Sequence, residues 1–81
     1  MIKNRKVTPW FPVSINPARM GVYQIRTNYG GVRYSVWDGV QWLCTTFNIE
    51  RAVPVGYKYG RSNDMYCKGY TPEWRGLAVQ P

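Results

Sequence analysis

An Asp-Gly pair set between two runs of alternating β-branched and aromatic residues constrains this chain more than any other feature. The stretch Tyr34–Trp42 reads YSVWDGVQW. Asp-Gly suits a two-residue turn with positive φ, and the runs on either side have the period-two pattern of half-buried strands. The spacing therefore predicts a hairpin, with VRYSVW (Val32–Trp37) going out and VQWLCTTF (Val40–Phe47) returning. A strict turn of this kind pairs Trp37 with Val40, Ser35 with Trp42 and Arg33 with Cys44. One face then carries Val32, Tyr34, Val36, Leu43 and Phe47, a core face. The other carries Arg33, Ser35, Trp37, Val40, Trp42 and Cys44, and its two indoles must be covered by the chain or offered to a ligand. Trp10, Phe11, Trp74 and Leu77 are available covers, so burial is expected over ligand stacking. A bulge beside the turn would slip the register by one and exchange some of these assignments.

Upstream, GVYQIRTNY (Gly21–Tyr29) closes on Gly30-Gly31 and reads as a strand entering a hairpin turn. Before it, Trp10–Arg19 has no helical period and contains Pro12 and Pro17, which gives an extended lead-in. Met1–Thr8 is polar and basic, a loosely ordered start. Downstream, Asn48–Val53 predicts a short helical turn capped by Asn48 and stopped before Pro54. Val55–Tyr70 reads as one more hairpin or as a long loop, and a loop of that length in a small domain is more often functional than idle. Thr71–Leu77 has Thr as N-cap, Pro at the first helical position and Gly as stop, so it predicts one helical turn pressing Trp74 onto the body. Together these elements make one domain over residues 1–81. Its class is all-β: a small antiparallel sheet or an SH3-like, partly open barrel, with one or two short helical turns.

A chain of 81 residues buries a small share of its surface and needs dense apolar side chains. Seven Tyr, four Trp and two Phe supply that density, so the rings have a structural use before any functional one, and Trp10, Trp37 and Trp74 are expected to be mainly structural. Charge is less easily absorbed. Eleven Lys and Arg against four acids give +7, which suits an anionic partner such as nucleic acid, a nucleotide or an acidic protein surface as well as it suits simple solubility.

Catalytic chemistry is poorly provided for. There is no histidine to serve as a base for a serine or cysteine nucleophile. Asp38 belongs to a turn, Glu50 and Glu73 sit in predicted first helical turns, and Asp64 lies in a polar loop, so no carboxylate pair or metal cluster forms. No phosphate-binding glycine loop of standard spacing is present. The expectation is a protein that is not an enzyme, with no cofactor and no metal site. Cys44 and Cys67 fit no zinc spacing; free thiols in a cytosolic protein are expected, with one bridge left open. No apolar run is long enough to span a membrane, and the N-terminal residues lack the apolar core of a signal peptide.

Binding remains. Tyr57, Lys58, Tyr59, Arg61, Tyr66 and Lys68 form an aromatic-basic mixture, and Arg26 and Arg33 add charge from the sheet. Bases stack on flat rings while Lys and Arg hold phosphates, so the mixture suits nucleotides and single strands. The competing use of such tyrosines is to shield a sheet edge.

Four fragments, WFP (Trp10–Pro12), PARMGVYQIR (Pro17–Arg26), YSVWDGVQW and WRGL (Trp74–Leu77), occur in an order that resembles a group of small proteins encoded by tailed bacteriophages and prophages. The resemblance covers Trp10–Trp42 and Trp74–Leu77. It carries no catalytic residue, and Tyr57–Tyr70 departs from it, which marks that segment as this protein's own. The resemblance implies a setting in the host bacterial cytoplasm and a role in host take-over or counter-defence. Sequestration of a small anionic nucleotide signal of a bacterial defence system is then the expected role. Nucleic-acid binding and inhibition of a host protein by docking are the alternatives. Nucleic-acid binders usually show denser Lys/Arg clustering than this chain does. Exposed sheet edges also make a homo-oligomer an expectation.

Overall fold

The computed structural model describes residues 8–26, 31–66 and 72–76. Four strands, β1 (Phe11–Pro12), β2 (Gly21–Arg26), β3 (Val32–Trp37) and β4 (Glu73–Arg75), form one antiparallel sheet in the order β1-β4-β2-β3. A 3₁₀ turn (Ile49–Arg51) runs directly into the helix α1 (Ala52–Tyr59). The small antiparallel sheet with a short helix is thus the fold. The predicted pairing of Gly21–Arg26 with Val32–Trp37 is present over its full length, from Gly21 opposite Trp37 to Arg26 opposite Val32.

The Asp-Gly turn is there but wider than two residues. Trp37 bridges Trp42, the Leu43 N–H donates to the Val36 carbonyl at 2.9 Å, and the Asp38 N–H donates to the Gln41 carbonyl at 3.1 Å. The reason lies in the Asp38 side chain, whose Oδ1 accepts from the N–H groups of both Val40 and Gln41 at 2.8 Å. That Asx arrangement needs more chain than a two-residue turn allows. The register therefore moves by two residues, and because side chains alternate with period two the faces survive. Val36 still packs with Leu43, and Trp37 with Trp42.

Further along, Tyr34 exchanges both backbone hydrogen bonds with Thr46, which is one residue more than the Trp37–Trp42 register requires. That extra residue turns Phe47 from the predicted core face to the opposite one. Phe47 is 71% exposed, with the Arg33 guanidinium 4.7 Å from its ring centre. The return run is accordingly not a continuous strand. Beside Leu43, which bonds to Val36, Trp42 and Cys44 bond away from the sheet, with the Cys44 N–H on the Gly60 carbonyl and the Ser62 N–H on the Trp42 carbonyl.

Two further expectations are corrected. Pro54 does not stop the helix, because it lies in the first turn of α1, where a proline's missing N–H has no intrahelical acceptor to lose. So Val55–Tyr59 is neither hairpin nor loop, although Asn48 caps the 3₁₀ turn as expected, accepting from the Glu50 N–H at 2.8 Å. And Glu73–Arg75 is a strand, not a helical turn. It is central in the sheet, with Phe11 opposite Trp74 on one side and Ile25 opposite Trp74 on the other. Two ladders outweigh the local capping signals of one short segment.

Both sheet faces are packed. On one, Ile25, Trp37, Trp42, Met65 and Trp74 are buried together, with Phe11, Val13 and Tyr23 against them. Tyr23 meets Trp42 and Trp74 edge-on, with ring centres 5.7 and 5.3 Å apart, a favoured aromatic geometry. Its hydroxyl donates to the Arg19 carbonyl at 2.7 Å, and burial raises its pKa in spite of the nearby Arg19 charge. The Trp74 indole N–H donates to the Ile15 carbonyl at 2.7 Å. On the other face α1 lies over Val36 and Leu43, with Ala52 fully buried between them. Thr8, placed in the loose start by the sequence, is tied down: its N–H donates to the Gly76 carbonyl and its hydroxyl accepts from the Gly76 N–H.

The turn supplies one prediction. Backbone donation from Gln41, then from Val40, holds the Asp38 carboxyl below its ordinary value. A depressed carboxylate contributes stability that is present above the unfolded value of about 3.9 and is lost as pH falls through the lower folded one. Asp38→Asn keeps the acceptor and removes the titration. In urea denaturation the advantage of wild type over this variant should therefore shrink as pH drops below about 4. A constant difference across that range would show that the turn does not sense the charge.

Candidate anion-binding surfaces

The sequence-derived site residues fall into three places. The first is the end of α1. Tyr57 and Tyr59 project from the helix and are 58% and 64% exposed, and the Lys58 Nζ lies 5.4 Å from the Tyr59 ring centre. Gly60 takes a positive φ of 76°, which turns the chain out of the helix and into the bridge between Arg61 and Leu43. The Arg61 guanidinium then lies over the Tyr66 ring at 4.0 Å. Tyr66 is itself fixed, because its hydroxyl accepts from the Trp42 N–H at 2.9 Å. Lys58 thus meets Tyr59 and Arg61 meets Tyr66, with the exposed Tyr57 on the same helix as the first pair. Lys68 lies outside the described residues, as does Cys67.

Arg33 is elsewhere and is committed. Its Nη1 donates to the Asp64 carboxylate at 2.9 Å, its side chain is 23% exposed, and the same Asp64 oxygen accepts from the Thr45 hydroxyl at 2.8 Å. This pair ties the 61–66 segment to β3. Cys44 is a free, half-buried thiol whose Sγ points at the Arg61 carbonyl.

Arg26 belongs to a third place, on the part of the sheet that α1 leaves uncovered. The register puts Arg26 opposite Glu73 and Gln24 opposite Arg75 on one face. Arg26 donates through Nε and Nη2 to the Glu73 carboxylate at 3.1 and 2.7 Å, and Arg75 donates through Nε to Gln24 Oε1 at 2.7 Å. Both guanidinium groups lie against the Trp10 ring, 4.2 and 4.5 Å from its centre. Sequence reasoning missed Arg75 in this role and assigned Trp10 to the core. The signal was present: with Thr71–Leu77 read as a strand, Glu73 and Arg75 share a face by period two, and Trp10 precedes their partner strand.

Among the described residues, only Arg26 and Arg33 have carboxylate partners. Lys58, Arg61 and Arg75 rest on aromatic rings with no counter-carboxylate. No three metal-ligating side chains converge among the described residues, and no described helix is long and apolar enough to cross a membrane. No protein-family model, curated protein or solved structure matches this chain.

Proposed function

We propose that this chain is a non-enzymatic binding protein that sequesters a small anionic nucleotide, in the setting of bacteriophage take-over or counter-defence. The observation that carries the reading is the end of α1, where Lys58 lies on the exposed Tyr59 and Arg61 on Tyr66 with no counter-carboxylate among the described residues, and where Tyr57 is also exposed. A ring-supported cation is partly desolvated and held in place, so less order is lost when it meets a phosphate. The two exposed phenol rings supply the flat apolar surface a base requires. The likeness to small phage proteins supports the biological setting.

Arg61→Ala should weaken nucleotide binding by about tenfold or more, the scale of a lost charge-assisted hydrogen bond. Its effect on the melting temperature should be small, because an exposed side chain away from the core shifts stability by only about 0.5 kcal/mol. A thermal-shift panel of linear and cyclic nucleotides, with short single- and double-stranded DNA alongside, checks this. Salt separates the outcomes. A polymer contact with about six to ten phosphates loses roughly 10³–10⁵ in affinity between about 50 and 200 mM salt, and a compact ligand far less. DNA binding with that steep slope and no nucleotide response would replace sequestration by nucleic-acid binding. Silence from both classes would leave a host protein as the partner.

A further inference from the structure

The surface formed by Trp10, Arg26 and Arg75 lies apart from the end of α1, and its chemistry selects a different ligand group. Two guanidinium groups rest on a single indole, so their central carbons are no farther apart than the two ring distances of 4.2 and 4.5 Å combined. Gln24 takes the Nε hydrogen of Arg75, which fixes the plane of that side chain and leaves both terminal amino groups without a partner among the described residues. Glu73 takes the Nε edge of Arg26 and leaves Nη1. The donors that remain come from two side chains supported by one ring.

Among the described residues, two cations and one carboxylate leave a single net positive charge at this place. A terminal phosphate monoester carries close to two negative charges at neutral pH and would be left under-neutralised beside Glu73. A phosphodiester carries one. Planar guanidinium forks suit its two non-bridging oxygens, and their flat faces tolerate a neighbouring base. We infer that Trp10, Arg26 and Arg75 form a phosphodiester-binding platform on the part of the sheet that α1 leaves uncovered. The diester group belongs either to a cyclic dinucleotide or to a single-stranded polynucleotide.

The test uses the full chain carrying Arg61→Ala, so that the end of α1 is disabled and the platform is measured by itself. Calorimetric titrations with a cyclic dinucleotide, a short oligothymidylate and a nucleoside monophosphate are compared. The platform predicts that a diester probe binds and that the monophosphate binds more weakly. It also predicts that adding Arg75→Gln lowers diester affinity by about tenfold or more. Trp10→Leu in the same background keeps both cations and removes their support. It should weaken binding in the same direction, and it provides the readout if the arginine variant does not fold. A steep fall of affinity with salt identifies the polynucleotide as the source of the diester, and a shallow one the cyclic dinucleotide. Absence of diester binding in the Arg61→Ala protein, or unchanged affinity in the folded platform variants, overturns the inference.

Discussion

Trp42→Ala is expected to leave no cooperatively folded protein under ordinary conditions. Trp42 is fully buried and touches the other large rings of its cluster, with centres 5.2 Å from Trp37, 5.7 Å from Tyr23 and 6.0 Å from Trp74. Truncating such a residue costs about 3–5 kcal/mol, and more when the cavity cannot collapse. A chain of this length has in total about 4–12 kcal/mol at the usual stability per residue. Collapse is hindered here because the Trp42 backbone is held from two directions, its N–H on the Tyr66 hydroxyl and its carbonyl on the Ser62 N–H. Loss of the thermal transition and of near-ultraviolet aromatic dichroism checks the expectation. A variant that melts cooperatively within a few degrees of wild type would show that the ring cluster is not the core.

The second large effect is expected at Gly56. In an isolated helix, replacing glycine by alanine gains about 1 kcal/mol, so propensity alone predicts a more stable protein. The packing predicts the opposite. A methyl group at Gly56 would stand 3.0 Å from the Leu43 Cβ and 3.3 Å from its Cδ1, with Val36 Cγ2 at 3.6 Å. The Leu43 Cβ is anchored to backbone that bonds to β3, so it cannot swing aside. Gly56→Ala should therefore be destabilising despite the propensity gain, and Gly56→Val more so, by about 1–3 kcal/mol or above, as the helix is lifted from the sheet. Denaturant midpoints of the two variants check this. An increase in the midpoint for Gly56→Ala would mean that α1 rides loosely on β3.

That close approach also explains which parts of the fold were legible in the sequence. Gly21–Arg26 and Val32–Trp37 announce themselves by period-two alternation, and a register error of two residues at the Asp38 turn left their faces intact. The helix is hidden because Ala-Val-Pro-Val-Gly-Tyr-Lys-Tyr is a poor helix former taken by itself. It is helical because Gly56 lets its axis settle onto Leu43 and Val36, a tertiary reason with no local signature. Strand β4 is hidden for the related reason that three residues cannot display a period, while Thr71-Pro72 ahead of them imitates a helix start. At the candidate site, aromatic and basic residues adjacent in sequence, such as Lys58 with Tyr59, could be read directly. The pairing of Arg33 with Asp64 and the meeting of Trp10 with Arg75 join residues far apart in the chain, and only the strand order reveals them.

The placement of β4 also governs how the protein comes into being. Glu73–Arg75 sits between β1 and β2, so neither of those strands has its native neighbour on that side until residue 75 is available. During synthesis, Phe11, Ile25, Trp37 and Trp42 leave the ribosome without the Trp74 that closes over them. The nascent chain is then an open hairpin with an uncovered aromatic face, a substrate for holding chaperones and a hazard for self-association. Folding is deferred to a late, nearly all-at-once step in which distant segments meet, a topology associated with slow closure. A chain that ends before Glu73 keeps the β2–β3 pairing but lacks the strand that joins β1 to β2, so the four-stranded sheet cannot form.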